Sequence, residues 1–78
     1  MEVANKVRDI ISEHSGVDSD NVTDEASLRT DLGLDSLEVV EVTMAIEEAF
    51  EVSLEDEEMD SIHTVGDMIR KIQEKTGA

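Results

Sequence analysis

The chain has no cysteine, no proline, no tryptophan and no tyrosine, and Phe50 is its single phenylalanine. Without cysteine there is no disulfide, no thiolate metal ligand and no thiol nucleophile, a composition compatible with a reducing compartment. With aromatic residues at 1%, any core must be built from aliphatic side chains. Cations are scarce as well: six Lys and Arg stand against 21 Asp and Glu, for a net charge of −15. Between Arg29 and Arg70 there is no lysine or arginine at all, although more than half of the acids lie there. Nucleic acid and anionic bilayers both repel such a surface, because phosphate binding needs Lys and Arg to displace counterions. No apolar run approaches the roughly 20 residues that span a bilayer, so no membrane insertion is expected. Nor does the amino end read as a signal or transit peptide. The expected location is the cytoplasm, or an organelle stroma or matrix if a transit peptide has been removed. The expected state is a monomer, and the expected partners are proteins with basic surfaces.

What is present is enough for one domain covering residues 1–78. A chain of 78 residues buries only about 60–65% of the surface it exposes when unfolded, so its core is thin. Self-repulsion among the carboxylates works against compactness, most strongly at low salt. Val3, Val7, Ile10 and Ile11 share one face of a first helix, and Gly16 is placed to close it. Residues 17–34 have no clean period, and a connection of that length is functional or pinned by its own side chains. Val17, Val22, Leu28, Leu32 and Leu34 are the candidates to pin it. A second helix runs from about Ser36 to Phe50. A short third covers Asp56–Ser61, with Ser53 or neighbouring polar groups at its start. A fourth begins near Thr64, where Asp67 three residues on completes a capping box, and Val65, Met68, Ile69 and Ile72 form its apolar stripe. Arg70, Lys71 and Lys75 stand toward its carboxyl end, which favours cations. Nothing argues for a sheet. The fold expected is all-α: a small up-down bundle of three longer helices and one short one, with a long first loop.

The second helix has two apolar faces. At about 100° per residue, Val39, Val42, Ile46, Ala49 and Phe50 fall together as a core stripe. Leu37, Val40 and Met44 fall on nearly the opposite side with Glu41, Glu48 and Glu51, while Glu38 and Glu47 flank them. If that second face were buried, its carboxylates would be buried without partners, at a cost of several kcal/mol or forced protonation. It is therefore read as a solvent-facing patch ringed by acids, with desolvation energy at its centre and a preference for basic partners at its rim. Scattered surface apolars are ordinary, but three at helical spacing beside a helix start are less so.

Serine at a helix start is most often a cap. Here Asp35 with Glu38 three residues later fits the capping-box pattern, which makes Asp35 the cap and Ser36 the first helical residue. The Ser36 hydroxyl then has no structural task, and a phosphate attached to it would sit at the positive end of the helix dipole, partly offset by Asp35 and Glu38. A hydrolase nucleophile is a poor reading, since L-D-S-L-E is not the G-x-S-x-G elbow and no base is evidently held beside it.

The stretch "DLGLDSLEVVEVTMAIEEAFEVSLEDEE" resembles the recognition segment of acyl carrier proteins, and "VRDIISEHSGVDSDNVTDEASLRTDLG" resembles that family's first helix and long loop, so the likeness covers nearly the whole chain. The D-S-L motif alone is weak; with L-G before it and E-x-x-M-x-x-E-E-x-F after it, it is strong. The resemblance implies that Ser36 carries 4′-phosphopantetheine, installed from coenzyme A by a phosphopantetheinyl transferase, and that the arm's thiol holds acyl groups as thioesters. It further implies a non-catalytic carrier whose second helix docks fatty acid synthesis enzymes through their basic patches. On this chain the docking residues would be Asp35, Leu37, Glu38, Val40, Glu41, Met44, Glu47 and Glu48. Val7, Leu28, Val39, Ile46, Ile62 and Ile69 are candidates to shelter an acyl chain. One departure lies before the third helix, where many relatives have Ile-Pro-Asp and this chain has Leu54-Glu55-Asp56. Thr43 and Ala49 also replace bulkier or charged residues.

Other readings stay open beside this one. A carrier for polyketide, lipid A or another specialised pathway would use the same serine, although Asp35 argues against the peptidyl branch. An acidic adaptor without a cofactor would use the same patch and leave Ser36 free. A calcium loop from Asp18 fails, because Thr23 stands where glycine is required and Arg29 where the bidentate glutamate should be. Weak divalent binding near Glu47, Glu48 and Glu51 would be charge relief. His14 and His63 have no accompanying cluster of donors and read as structural or solvent-facing.

Overall fold

A computed structural model describes residues 2–77, and among them the chain forms four α-helices and one 3₁₀ turn. Helix α1 spans Val3–Ser15, the 3₁₀ turn Ser19–Asn21, α2 Ser36–Phe50, α3 Asp56–Asp60 and α4 Val65–Thr76. No strand occurs among the described residues; an isolated antiparallel bridge joins Ser27 to Thr64. No helix is long and apolar enough to cross a membrane.

Each long helix turns one stripe inward. Val3, Val7 and Ile11 of α1 are buried, with Ile10 half-buried at the edge of the stripe. Val42 and Ile46 of α2 are fully buried, and Val39 and Phe50 pack against them from partly buried positions. Ala49, which the helical wheel puts on the core stripe, is exposed. On the other edge of the stripe Thr43 is buried at 2% exposure, and its hydroxyl donates to Val39 O at 2.8 Å. That back-bond satisfies a polar group that would otherwise be costly to bury. From α4, Val65, Met68, Ile69 and Ile72 are buried as the spacing predicts.

The helix ends follow the local chemistry. Gly16 closes α1 at φ +78°, a left-handed conformation that side chains disfavour. Thr64 caps α4 by accepting Asp67 N–H at 3.1 Å, and Asp67 Oδ2 accepts the N–H groups of Thr64 and His63. The backbone N–H of His63 first, then that of Thr64 and the nearby Arg70 guanidinium, hold the Asp67 carboxyl below its usual range. Helix α3 begins at Asp56 as the sequence suggests, and of the polar groups before it the cap is Glu55, not Ser53; Glu55 forms a capping box with Glu58. Serine is the stronger cap by propensity, but Leu54 is buried at 8% exposure and the turn must first deliver it to the core.

The long loop belongs to the core. Of the 16 buried apolar residues, Val22, Ala26, Leu28, Leu32 and Leu34 come from it, and Val17 is partly buried. At about 1.5–3 kcal/mol for each large side chain removed from water, this anchorage outweighs the cost of ordering the segment's apolar positions. The backbone adds cross-links: Leu28 N–H donates to His63 O at 3.0 Å, and Val65 N–H to Ala26 O at 3.0 Å. Gly66 N–H donates to Asp24 O at 2.9 Å. A Cβ on Gly66 would lie 3.0 Å from that same carbonyl oxygen, a contact tight enough that the loop would have to give way, so glycine lets the loop lie this close to α4 without displacement. Arg8 of α1 pairs with Asp24 at 2.8 Å, and Arg70, Lys71 and Lys75 pair with acids on α3 and α4. The few cations are therefore spent mostly on holding loop and helices together, and the α2 surface is left to its carboxylates.

Candidate functional site

The junction of loop and α2 is set from below. Leu32 and Leu34 are both buried, and Leu34 N–H donates to Leu28 O at 3.1 Å, which fixes the direction in which the chain leaves the core. Asp35 is extended (φ −83°, ψ 179°) and caps α2: its Oδ1 accepts Glu38 N–H at 2.8 Å, while Glu38 Oε1 accepts Asp35 N–H at 3.0 Å. The first helical bond runs from Val39 N–H to Asp35 O at 2.9 Å. Ser36 is thereby the first residue of the helix and is exposed. Its hydroxyl takes no part in the cap, and among the described residues nothing engages it. The N–H groups of Ser36 and Leu37 are likewise left over by the capping box, as the first turn of a helix requires unless something outside supplies acceptors.

This arrangement suits an anionic group esterified to the Ser36 oxygen. Two free N–H donors and the positive end of a 15-residue helix face the position such a group would take. Asp35 and Glu38 oppose it electrostatically, though each already has an oxygen committed to a backbone N–H. Among the described residues no His or other base is hydrogen-bonded to Ser36, the contact that an activated nucleophile would show.

Beyond the serine, the second face of α2 is open. Leu37, Val40 and Met44 are 68%, 41% and 60% exposed, far above the core residues of the same helix. Glu41, Glu48 and Glu51 are exposed around them, and Glu38 is half-buried. Glu47 departs from the expectation of a rim carboxylate. It is half-buried, and its Oε2 accepts Leu54 N–H at 2.7 Å. A carboxylate committed to the loop after α2 offers a partner less than a free one does.

Two hollows on the surface bear on where an acyl chain could lie. The larger, about 580 Å³, lies between α1 and the long loop and is lined by polar groups including Asn5, Arg8, Asp9, Asp20 and Asp24. It is remote in sequence from Ser36 and unsuited to an apolar guest. The smaller, about 220 Å³, is lined by Leu28, Arg29, Val39, Met59, Asp60, Ile62 and His63. Its wall includes Val39, three residues and about 4.5 Å of helix rise beyond Ser36. Of the six residues expected to shelter an acyl chain, Leu28, Val39 and Ile62 line this cleft, whereas Val7, Ile46 and Ile69 lie in the closed core. Arg29, Met59, Asp60 and His63 were not foreseen. Met59 carried a signal, as the single apolar residue in the short acidic α3, but the others depend on how loops meet. Among the described residues no three His, Asp or Glu side chains converge as a metal site.

Comparison with known proteins agrees with this geometry. A family model described as a phosphopantetheine attachment site matches residues 5–72. Among solved structures, the chain is similar to the acyl carrier protein from Enterococcus faecalis, described for structural components that contribute to its high thermal stability. The two are 36% identical over 94% of this chain and 92% of that one, with a TM-score of 0.80.

The capping assignment separates Asp35 from Ser36 by measurement. Asp35→Ala should lower the unfolding free energy by about 1 kcal/mol, whereas Ser36→Ala should change it by less than about 0.5 kcal/mol. Urea unfolding followed by circular dichroism measures both. A loss at Ser36 equal to that at Asp35 would make the serine a structural cap.

Proposed function

The chain belongs to the acyl carrier protein family, whose cofactor is 4′-phosphopantetheine, and on that premise we propose that Ser36 is the attachment residue and that the protein presents acyl groups to separate enzymes of fatty acid synthesis in the cytoplasm. The observation that carries the reading is the Ser36 hydroxyl itself, exposed at the first position of a helix already capped by Asp35 and Glu38. When attached, the arm supplies a thiol that holds acyl groups as thioesters.

The chain's own residues contribute position, charge and shelter. The Ser36 oxygen attacks the pantetheine-bearing phosphorus of coenzyme A, the pyrophosphate linkage breaks to release adenosine 3′,5′-bisphosphate, and, with no base bonded to Ser36 among the described residues, the transferase takes the hydroxyl proton. The N–H groups of Ser36 and Leu37 offer donors to the phosphate. Leu37, Val40 and Met44 provide the desolvated centre of a docking surface, and Asp35, Glu38, Glu41 and Glu48 attract a basic partner and orient it. Glu47 acts on this surface mainly by holding its lower end in place. The cleft at Val39 gives the first carbons of an acyl chain an apolar floor of Leu28, Met59 and Ile62. A protein of this kind catalyses nothing itself; its whole contribution is to hold and present. A cysteine-free chain also fits, since the cofactor's would then be the one thiol on the particle.

Incubation of the unmodified protein with coenzyme A and a phosphopantetheinyl transferase tests the attachment by intact mass. The wild type should gain one phosphopantetheine unit and Ser36→Ala none. A wild type that stays unmodified would support a cofactor-free adaptor instead. The docking surface is tested separately by titration against the transferase. Met44→Ala should weaken binding by about 1 kcal/mol or more, and Glu41→Lys should lower the association rate most strongly at low salt, with helical content unchanged in both. Unaltered affinity in both variants would move the docking surface elsewhere.

A further inference from the structure

Helix α3 is held in place differently from the other helices. It has five residues, none of them buried, and Met59 is its one apolar side chain against the core. A helix so short has little stability of its own. Buried Leu54 and Ile62 bracket it, but the segment between them is fastened by polar bonds.

Two half-buried carboxylates make those bonds. At the amino end, Glu47 Oε2 accepts Leu54 N–H at 2.7 Å across seven residues, and Glu47 O accepts Val52 N–H at 3.0 Å. Side chain and backbone of one residue thus hold the proline-free turn that leads into α3. Along the body, Glu58 Oε1 accepts Glu55 N–H at 3.0 Å and the Lys75 ammonium at 2.8 Å, while Lys71 stands 3.8 Å from Oε2. The Glu55 N–H first, and then the Lys75 ammonium, hold the Glu58 carboxyl below its usual range. Glu58 therefore caps its own helix and ties that helix to α4. Met59 and Asp60, the next two residues, line the same cleft as Val39 of α2.

We propose that Glu47 and Glu58 are positioning residues for the cargo: by tying α3 to α2 and α4 they set how readily the wall at Met59 moves away from Val39, and so how well an acyl chain is held in the cleft. This rests on the carrier reading for its cargo, while the tether itself does not. Lys75→Met removes the shorter of the two ties to α4, leaving the longer one through Lys71, without touching the Glu55–Glu58 capping box. Glu47→Ala removes the tie to α2, and Glu47→Gln keeps an acceptor oxygen for Leu54 N–H.

The test has two arms. On the unmodified protein, solvent exchange of the Met59, Ser61 and Ile62 amides is followed by NMR, with α1 amides as the internal reference. Lys75→Met should speed exchange by about threefold to fivefold and Glu47→Ala by about tenfold, while Glu47→Gln stays near wild type and α1 is unchanged. Exchange in both Lys75→Met and Glu47→Ala equal to wild type would overturn the proposal. On the loaded protein, hydroxylamine cleavage of octanoyl and acetyl thioesters is compared. Both variants should expose the octanoyl thioester by a similar factor and leave the acetyl rate alone; α3 loosened with no change in octanoyl cleavage would overturn the role in holding cargo. Failure of the wild type to load would count against the carrier reading alone, because the first arm needs no arm or cargo.

Discussion

Two reciprocal hydrogen bonds between Asp35 and Glu38 decide what the serine beside them can do. A helix start leaves several N–H groups without partners, and a serine there would ordinarily be recruited to satisfy one. Because Asp35 takes that task, and its backbone is aimed by the buried Leu32 and Leu34, Ser36 is left with an idle hydroxyl pointing outward. Attachment chemistry needs such a group: exposed, unengaged, at a positive helix end, and on a rigid element that a partner enzyme can find. The cap thus links core packing to function, since it is the loop's burial that presents it.

Charge shapes the rest. With six cations available, the fold spends Arg8 on the loop and Arg70, Lys71 and Lys75 near α3 and α4. Ion pairs at such exposed positions contribute at most about 1 kcal/mol each, so they place elements more than they stabilise them. The consequence is an α2 surface on which Leu37, Val40 and Met44 stand among carboxylates with no cation to neutralise them. The same scarcity makes α3 dependent on a few polar ties, where α1, α2 and α4 rely on apolar stripes.

Much of this was legible in the chain because it is local. The bounds of α2, the Thr64–Asp67 box, the stripe of α4 and the opposed faces of α2 follow from spacing alone, and the loop anchors Val22, Leu28, Leu32 and Leu34 follow from their isolation among polar residues. What was not legible depends on contacts between distant segments. Ala49 lies on the inward side of a helical wheel, yet no neighbour covers it. Glu47 reads as a surface acid until Leu54, seven residues on, folds back to it. The start of α3 at Asp56 follows from the sequence, but which polar residue caps it does not: Glu55 takes the place of Ser53 because burying Leu54 takes precedence over the better cap. The cleft joins a loop, two helices and a connection, and no period in the sequence marks it. The family resemblance supplied the role proposed for Ser36, and the geometry supplied the reason a serine at that position is free.

The central claim is that Ser36 is kept free so that it can be modified in the cell. Fragment-ion mapping of the protein isolated from its native source tests this most directly. The account predicts an added phosphopantetheine located on Ser36, with or without acyl cargo. A native protein whose Ser36 is bare, or whose added mass lies on another residue, would contradict it.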